Sequence, residues 1–227
     1  MVVWVQEGDP CGIRRMDICG SEIRRVLLPP GGVLRHYRRS RIWKRLQGPG
    51  TILAIPRELE SEAGRYGLRG VSAVPLRQAL LPQLYEKCAV ITSDTAALRA
   101  PNASPEVYRA AAFLAEKVRY LVPELGSGGE QLQNWLRGQY GISMGSAGEW
   151  ACGGVTFCGP PRCAEVCLGE DCRQYQVVTY EVGGRKIPEE LLCGLWQAGA
   201  VGRSEIRVIS VRTALDTTEE SRYNTMI

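Results

Sequence analysis

Short apolar runs alternate with amphipathic stretches through most of this chain. The apolar run at residues 51–55 predicts a buried strand, and Leu59 and Ala63 recur at helical spacing in the stretch that follows it. The same pattern predicts strands at residues 2–5, 51–55, 71–74, 88–92, 120–122, 175–182 and 206–211. It predicts helices at residues 57–66, 76–87, 105–119, 130–139 and 188–200.

Local signals indicate where some of these helices begin, end or break. Ser104, Pro105 and Glu106 supply a capping hydroxyl, a proline at the first helical position and an acidic side chain in the first turn. Gly67 suits a left-handed residue at a helix end. Pro82 has no amide hydrogen to donate, so we expect it to kink or split the second helix.

Strands that alternate with helices of about 10–15 residues are typical of an α/β protein with a parallel sheet. We expect a single three-layer domain over residues 1–227, with a mostly parallel sheet and helices on both faces. Residues 8–32 are rich in Gly, Pro and Cys, so the basic N-terminal segment is expected to be irregular. The expected subdivision is 1–50 for that segment, 51–150 for the regular βα units, 151–173 for a cysteine-rich loop and 174–212 for a C-terminal strand-helix-strand.

The composition, with 44% hydrophobic and 23% charged residues, is that of an ordinary globular protein. No apolar run approaches the ~20 residues needed to cross a bilayer. The first residues lack a basic start and a small-residue cleavage site, unlike a signal peptide. We therefore expect a cytoplasmic protein with no membrane partner, whose nine cysteines are reduced rather than bridged.

Positive charge is concentrated at the start of the chain. Residues 1–50 hold 10 Lys and Arg against 4 Asp and Glu, and the densest part is the stretch 35–45. Its cations can neutralise phosphates and its aromatic rings can stack on unpaired bases. The stretch is thus a candidate contact for nucleic acid or for an acidic protein, and the alternative is a solvated surface whose arginine stems cover apolar neighbours. The candidate contacts are Arg35, Tyr37, Arg38, Arg39, Arg41, Trp43, Lys44 and Arg45.

Five of the nine cysteines fall within 21 residues, between positions 152 and 172. Gly159-Pro160-Pro161 predicts a turn in this segment, and one helical turn would bring Cys163 and Cys167 to the same side. Four thiolates suit a structural zinc ion or an iron–sulfur cluster, although these spacings match no common motif for either. The alternative is a set of separate small apolar residues without a metal. The candidate ligands are Cys158, Cys163, Cys167 and Cys172.

A glycine-rich turn joins a predicted strand to a predicted helix at residues 124–130. Free amide groups and the positive end of a helix dipole favour a phosphate at such a turn. The turn lacks the Walker A lysine and the full dinucleotide-binding spacing, and Glu124 and Glu130 would repel an anion. The alternative is a tight βα connection. The candidate ligand contacts are Gly126, Ser127, Gly128 and Gly129.

Ligands of open α/β sheets bind beyond the carboxyl ends of the strands. The polar turn 92–95, the glycine-rich turn and Pro56-Arg57 each follow a predicted strand, so we expect them along one edge of the sheet. Arg57 and Arg99 would supply positive charge there. The expected ligand is an anionic or phosphorylated small molecule.

The sequence assigns no catalytic residue. Its only histidine, His36, lies in the basic stretch, which disfavours a Ser–His–Asp triad, and the chain contains neither H-E-x-x-H nor D-x-D-x-D-G. Three functions stay open at this point. They are a ligand-binding protein with a four-cysteine metal site, a nucleic-acid-binding or regulatory module, and an interaction protein that docks on an acidic partner.

Overall fold

The computed structural model describes residues 1–31, 33–46, 48, 50–88, 94–145, 153–162 and 164–213, with only the backbone described at 33–35. The strands are β1 (Val2–Glu7), β2 (Gly12–Ile18), β3 (Ser21–Leu28), β4 (Ile52–Ala54), β5 (Thr95–Ala100), β6 (Tyr120–Leu125), β7 (Ser143–Met144), β8 (Gly154–Thr156), β9 (Glu165–Cys167), β10 (Gln176–Val182), β11 (Arg185–Ile187) and β12 (Ile206–Thr213). The helices are α1 (Val33–Arg45), α2 (Arg57–Gly64), α3 (Val74–Ala79), α4 (Leu81–Cys88), α5 (Pro105–Ala115), α6 (Gly129–Tyr140), α7 (Cys172–Tyr175) and α8 (Glu189–Gln197). Across these ranges we find no helix with the length and apolarity that a membrane span requires.

The α/β class and the mostly parallel sheet predicted from the pattern are confirmed. Five strands form one sheet in the order β7-β6-β5-β8-β9, with each neighbouring pair parallel. The cap predicted for α5 is also present, because the Ser104 hydroxyl accepts a hydrogen bond from the Val107 amide. The helix predicted over 76–87 is split into α3 and α4 near Pro82. The three-layer arrangement stays a prediction.

The chain divides into two compact units. Unit 1 consists of Met1–Ala73 and Tyr180–Arg207, and unit 2 consists of Val74–Thr179 and the residues from Val208 onward. Unit 1 carries 17 Lys and Arg against 11 Asp and Glu, a net charge of +6, whereas unit 2 carries 11 against 13, a net charge of −2. The excess of positive charge in the chain therefore belongs to unit 1.

Unit 1 contains a four-stranded sheet in the order β2-β3-β1-β4. Strand β1 is parallel to both β3 and β4, and α1 connects these two neighbours. Because side chains alternate between the two faces of a strand, Val3 and Val5 lie on one face of β1. They share a buried core with Val26, with Trp43 of α1 and with Leu59 of α2.

The expectation that residues 8–32 are irregular is wrong, because β2 and β3 form an antiparallel hairpin there. Its two turn residues, Cys19 and Gly20, have φ angles of 54° and 72°. Two successive left-handed residues match the twist of the flanking strands and close a tight hairpin. The sequence does not indicate this hairpin, because Cys-Gly is an uncommon turn pair. In addition, β2 is mostly exposed, so it lacks the alternation of apolar and polar residues that predicts a strand.

The basic stretch, which shows no clean period, is the helix α1. Its apolar stripe is interrupted by Arg39, whose side chain is only 6% exposed. The Arg39 guanidinium donates hydrogen bonds to the carboxylates of Glu62 and Glu7 and to the Pro29 carbonyl. A paired arginine therefore occupies a position where the helical pattern requires an apolar residue, which is why the period is obscured.

Of the two strands predicted between residues 71 and 92, the first is not found, and most of the second lies outside the described residues. Residues 71–73 belong to no strand, and Val74 begins α3, where Pro75 suits the first turn of a helix. Cys88 ends α4, and residues 89–93 lie outside the described residues. The next strand that the structure describes is β5, which was not predicted, because its sequence Thr-Ala-Ala-Leu-Arg-Ala has low strand propensity although it is largely buried.

Candidate functional site

The connections of the parallel sheet in unit 2 diverge between β5 and β8. From β5 the chain runs through α5 to β6 and through α6 to β7, whereas β9 lies on the other side of β8. Neighbouring strands whose connections leave in opposite directions form a topological switch point. The crevice beyond the carboxyl ends of such strands is where ligands of open α/β sheets bind.

A cavity of about 420 Å³ lies at this crevice, a volume within the range of about 300–1,000 Å³ for small-molecule sites. Three strands lead directly into its wall, since Asn102 follows β5, Phe157 follows β8 and Gly169 follows β9. The first turns of α3 and α5 complete the lining. The switch point of the sheet and the cavity therefore coincide.

The cavity lining combines apolar contact area with polar groups and negative charge. The apolar side chains include Val74, Val107, Phe157 and Leu168. The polar and acidic ones are Gln78, Asn102, Ser104, Glu106 and Glu170. The described lining therefore contains two acidic residues and no basic one.

The amino end of α5 is already satisfied by groups of the protein. The Ser104 hydroxyl caps the helix, and the Glu106 carboxylate pairs with Arg109 at 3.1 Å. Hydrogen bonds from its own backbone amide and from Ser104 lower the pKa of Glu106 from its ordinary value. Glu106 is therefore ionised at neutral pH, and it opposes the attraction of the helix dipole for an anionic ligand.

The glycine-rich turn joins β6 to α6 as predicted, but its residues are not part of the cavity lining. A Cβ atom on Gly126 would stand 2.7 Å from the Pro101 carbonyl oxygen, and one on Gly128 would stand 2.8 Å from the Ala103 Cβ. Gly128 also has a φ of 75°, which favours glycine. The turn packs against the segment that follows β5 and so supports one wall of the cavity. The residues concerned are the predicted contacts Gly126, Ser127, Gly128 and Gly129.

Other residues predicted at the carboxyl edge lie elsewhere. Arg57 begins α2 in unit 1. Residues 92–93 lie outside the described residues, and Asp94 precedes β5 at its amino end, where the Asp94 carbonyl accepts hydrogen bonds from the Arg119 and Tyr120 amides. The described part of the predicted turn, Asp94 and Thr95, therefore lies at the amino end of β5 and not at a carboxyl edge.

Arg99, predicted as a charge for an anionic ligand, is engaged by the protein itself. Its Nε donates to Glu165 Oε1 at 3.1 Å, and its Nη2 donates to the Pro160 carbonyl at 2.8 Å. The Glu165 carboxylate also accepts a hydrogen bond from the Arg162 amide, and the Arg162 guanidinium pairs with Glu124 at 2.7 Å. These arginines hold the segment after β8 against the sheet.

Two buried polar side chains organise the cysteine-rich segment. Arg77 of α3 is fully buried and donates to the carbonyls of Cys167, Cys172 and Gln176. The side-chain oxygen of Gln176 accepts a hydrogen bond from the backbone N–H of Cys167 at 2.8 Å, and its side-chain NH2 donates to the backbone carbonyl of Glu165. The path of the chain around the cysteines is therefore specified by hydrogen bonds to backbone groups.

Three of the four predicted metal ligands are described, and they differ in environment. Cys158 is exposed and Cys167 and Cys172 are buried, whereas Cys163 lies outside the described residues. The predicted helical turn over Cys163 and Cys167 is wrong, because Cys167 ends the strand β9. Burial raises the pKa of the Cys167 thiol. In the part of the chain that the structure describes, no group of three or more His, Cys, Asp or Glu side chains is placed to hold a metal ion.

The helix α1 presents an exposed basic face in unit 1. Tyr37 is 70% exposed, and the Arg41 guanidinium lies over its ring at 6.0 Å. Trp43 is fully buried and donates its Nε1–H to Glu62, so neither it nor the buried Arg39 is available at the surface. The side chain of Arg35 is not described. The predicted nucleic-acid contacts that are exposed are Tyr37, Arg38, Arg41, Lys44 and Arg45.

The sequence did not indicate the residues that line the cavity. Ser104 and Glu106 were recognised only as helix-capping residues, and Asn102, Phe157 and Glu170 carry no motif. Comparisons with family models, with curated proteins and with solved structures find no match for this chain. Its function is therefore inferred from its own geometry.

Proposed function

We propose that unit 2 binds a small, positively charged organic molecule in the cavity at its switch point. The observation that carries this proposal is the coincidence of the divergence between β5 and β8 with a cavity that Glu106 and Glu170 line. An apolar wall with a few polar groups at the carboxyl ends of parallel strands is the usual composition of such sites.

The charge that we propose for the ligand is opposite to the sequence-based expectation of an anion. An ammonium group within hydrogen-bond reach of a carboxylate gains about 1.5–3 kcal/mol from a charge-assisted hydrogen bond. An anion would meet the carboxylates of Glu170 and of Glu106, of which Arg109 neutralises the second in part. The cations predicted to attract an anion are paired within the protein, as Arg99 is, or lie in unit 1, as Arg57 does. The apolar side chains would contact the hydrocarbon part of the ligand.

The proposal is tested with three ligands of similar shape and different charge. Cyclohexylamine, cyclohexanol and cyclohexanecarboxylate are added to the protein, and the thermal midpoint is measured. A ligand that binds only the folded state at 100 times its Kd stabilises it by about 2.7 kcal/mol. We expect the amine to raise the midpoint most and the carboxylate to leave it unchanged.

Variants that remove one carboxylate show whether the amine binds in the cavity. Glu170→Gln should reduce the stabilisation by the amine, whereas Glu116→Gln, at the opposite end of α5 from Glu106, should preserve it. The two substitutions remove the same charge from unit 2. Equal stabilisation of both variants, or equal stabilisation by amine and carboxylate, would overturn the proposal.

A second candidate function is binding of nucleic acid by unit 1. It is favoured by the exposed cations of α1, of which Arg41 lies over the exposed ring of Tyr37, in the unit with a net charge of +6. The test is the affinity for a labelled oligonucleotide at several salt concentrations, with Arg38→Ala and Arg41→Ala as the variants. Arg39 is unsuitable for this test because it is buried and paired. Retention of full affinity in the double variant would reject this function.

A zinc ion or iron–sulfur cluster at Cys158, Cys163, Cys167 and Cys172 is the least supported of the predictions. The hydrogen bonds of Arg77 and Gln176 account for the path of this segment without a metal. Elemental analysis of the purified protein tests the metal directly.

A further inference from the structure

Four arginines face one another in pairs across the hairpin of β2 and β3. Arg14 stands opposite Arg25, and Arg15 stands opposite Arg24 on the next rung. Side chains that are directly opposite in an antiparallel pair have Cβ atoms about 4.5–5.5 Å apart, and like charges there destabilise the pair. Two successive arginine rungs therefore oppose the formation of this hairpin.

Neighbouring groups compensate only part of this charge. Arg15 pairs with Glu22 at 3.3 Å, but both side chains are mostly exposed, so water screens the pair. Arg25 donates to Gln6 Oε1 at 2.8 Å and lies over the Trp4 ring. Arg14 and Arg24 have no carboxylate partner within the described ranges. Asp17 stands opposite Glu22 on the same face as Arg15 and Arg24, so residues 12–28 keep a net charge of +2 from four arginines and two carboxylates.

The register places one arginine pair on the same side of the unit 1 sheet as α1. Arg24 lies beside Val3 across the parallel pair of β1 and β3, and Val3 belongs to the core that Trp43 of α1 completes. Laterally paired residues share a face of a sheet, so Arg24 and its partner Arg15 lie on the α1 side. Two separate elements therefore contribute cations to one side of unit 1.

We propose that Arg15 and Arg24 of the hairpin form, with the exposed face of α1, one surface that binds single-stranded nucleic acid. This inference rests on the second candidate function above. Phosphates bound at the hairpin relieve the repulsion between the arginine pair, while a base stacks on the exposed ring of Tyr37. The aromatic ring within the cationic face favours nucleic acid over an acidic protein, which offers no bases to stack.

The test measures the binding of a labelled single-stranded 20-mer of mixed sequence between 50 and 200 mM salt. The variant combines Arg15→Gln with Arg24→Gln. The control combines Arg185→Gln with Lys186→Gln, which removes two exposed cations from the other hairpin of unit 1. Each lost phosphate contact lowers the salt slope by about 0.7 for a single strand, so we expect a decrease of about 1.4 in the variant and none in the control.

Stability separates a binding role from a structural role. Because the variant removes like charges that face each other, its thermal midpoint should not fall below that of the natural protein. If the salt slopes of variant and control are equal while Arg38→Ala with Arg41→Ala weakens binding, the role of the hairpin is overturned and binding by α1 stands. If the natural protein binds no oligonucleotide at 50 mM salt, both are overturned.

Tyr37 tests the identity of the partner. Loss of one stacked base lowers affinity by about 5- to 150-fold, so Tyr37→Leu should weaken binding of the single strand by a factor in that range. The same substitution should have little effect on a duplex of equal length. If polyglutamate of matched charge displaces the oligonucleotide as well as unlabelled single strand does, the partner is acidic protein, and the nucleic-acid inference is overturned.

Discussion

Gly126 lies so close to Pro101 that a Cβ atom added to it would stand 2.7 Å from the Pro101 carbonyl oxygen. This contact joins the glycine-rich turn to a wall of the cavity in unit 2. Because the obstacle is backbone, Gly126→Ala must displace the segment after β5. We expect the free energy of unfolding to fall by about 1–3 kcal/mol, as in other overpacked sites, when measured by denaturant unfolding.

Gly138 is the matched control for this substitution. It lies within α6, and a Cβ atom there would have no heavy atom within 4 Å. Alanine is the better helix former, so Gly138→Ala should raise the free energy of unfolding by about 0.5–1 kcal/mol. Destabilisation of equal size by the two substitutions would contradict the close packing of Gly126.

The pair of Arg39 and Glu62 stabilises unit 1. Arg39 is buried, and Glu62 accepts hydrogen bonds from its guanidinium and from the Trp43 Nε1–H. Glu62→Gln would leave the buried guanidinium with Glu7 as its carboxylate partner, so the free energy of unfolding should fall by about 2 kcal/mol, less than for a fully uncompensated buried charge. Glu58→Gln, at an exposed position one turn earlier, should lower it by less than about 1 kcal/mol. Similar losses in both variants would refute the assignment.

Acid should weaken this stabilisation in a defined direction. The hydrogen bond from Arg39 lowers the pKa of Glu62 below its ordinary value of 4.5. The stabilisation is therefore fully present above pH 4.5 and is lost as the pH falls through the lower pKa of the folded state. Thermal midpoints between pH 7 and 3 should converge for the natural protein and Glu62→Gln. If the difference between the two thermal midpoints grows as the pH falls, the pKa shift of Glu62 has the opposite direction and the prediction is refuted.

Thiol labelling and metal removal test the cysteine-rich segment. Cys158 is exposed and should react with iodoacetamide in the folded protein, whereas the buried Cys167 and Cys172 should not. Burial also raises the pKa of Cys88 to about 12, which keeps that thiol protonated and slow to react. We expect EDTA to change neither this labelling pattern nor the thermal midpoint. A lower midpoint together with faster labelling of Cys158 after EDTA would support the four-cysteine metal site.

Local signals in the sequence were sufficient where a few neighbouring residues determine the structure. The hydroxyl of Ser104 and the ring of Pro105 define the start of α5, and the glycine-rich turn marks the passage from β6 to α6. Both features are short in sequence and depend on backbone geometry. The pattern could therefore predict them without knowledge of the tertiary fold.

The candidate site could not be predicted in the same way. Asn102, Phe157 and Gly169 converge only because β8 pairs with β5 on the side opposite β6, and strand order leaves no local signal. The strand β5 was also hidden, since its alanines are weak strand formers that tertiary burial places in the sheet. The helical period of α1 was not recognised because a polar residue, Arg39, occupies a buried position. Its burial depends on ion pairs with Glu7 and Glu62, which are distant in sequence.

The side-chain amides of Asn102 and Gln78 report most directly on the proposed ligand site, because both line the cavity. Their NMR signals are followed during titration with cyclohexylamine and, separately, with cyclohexanecarboxylate, with the exposed Asn134 of α6 as the reference. The account predicts saturable shifts of Asn102 and Gln78 with the amine and none with the carboxylate, while Asn134 stays unchanged. Shifts of equal size with the carboxylate, or no shift of either amide with the amine, would contradict a cation-binding cavity at this switch point.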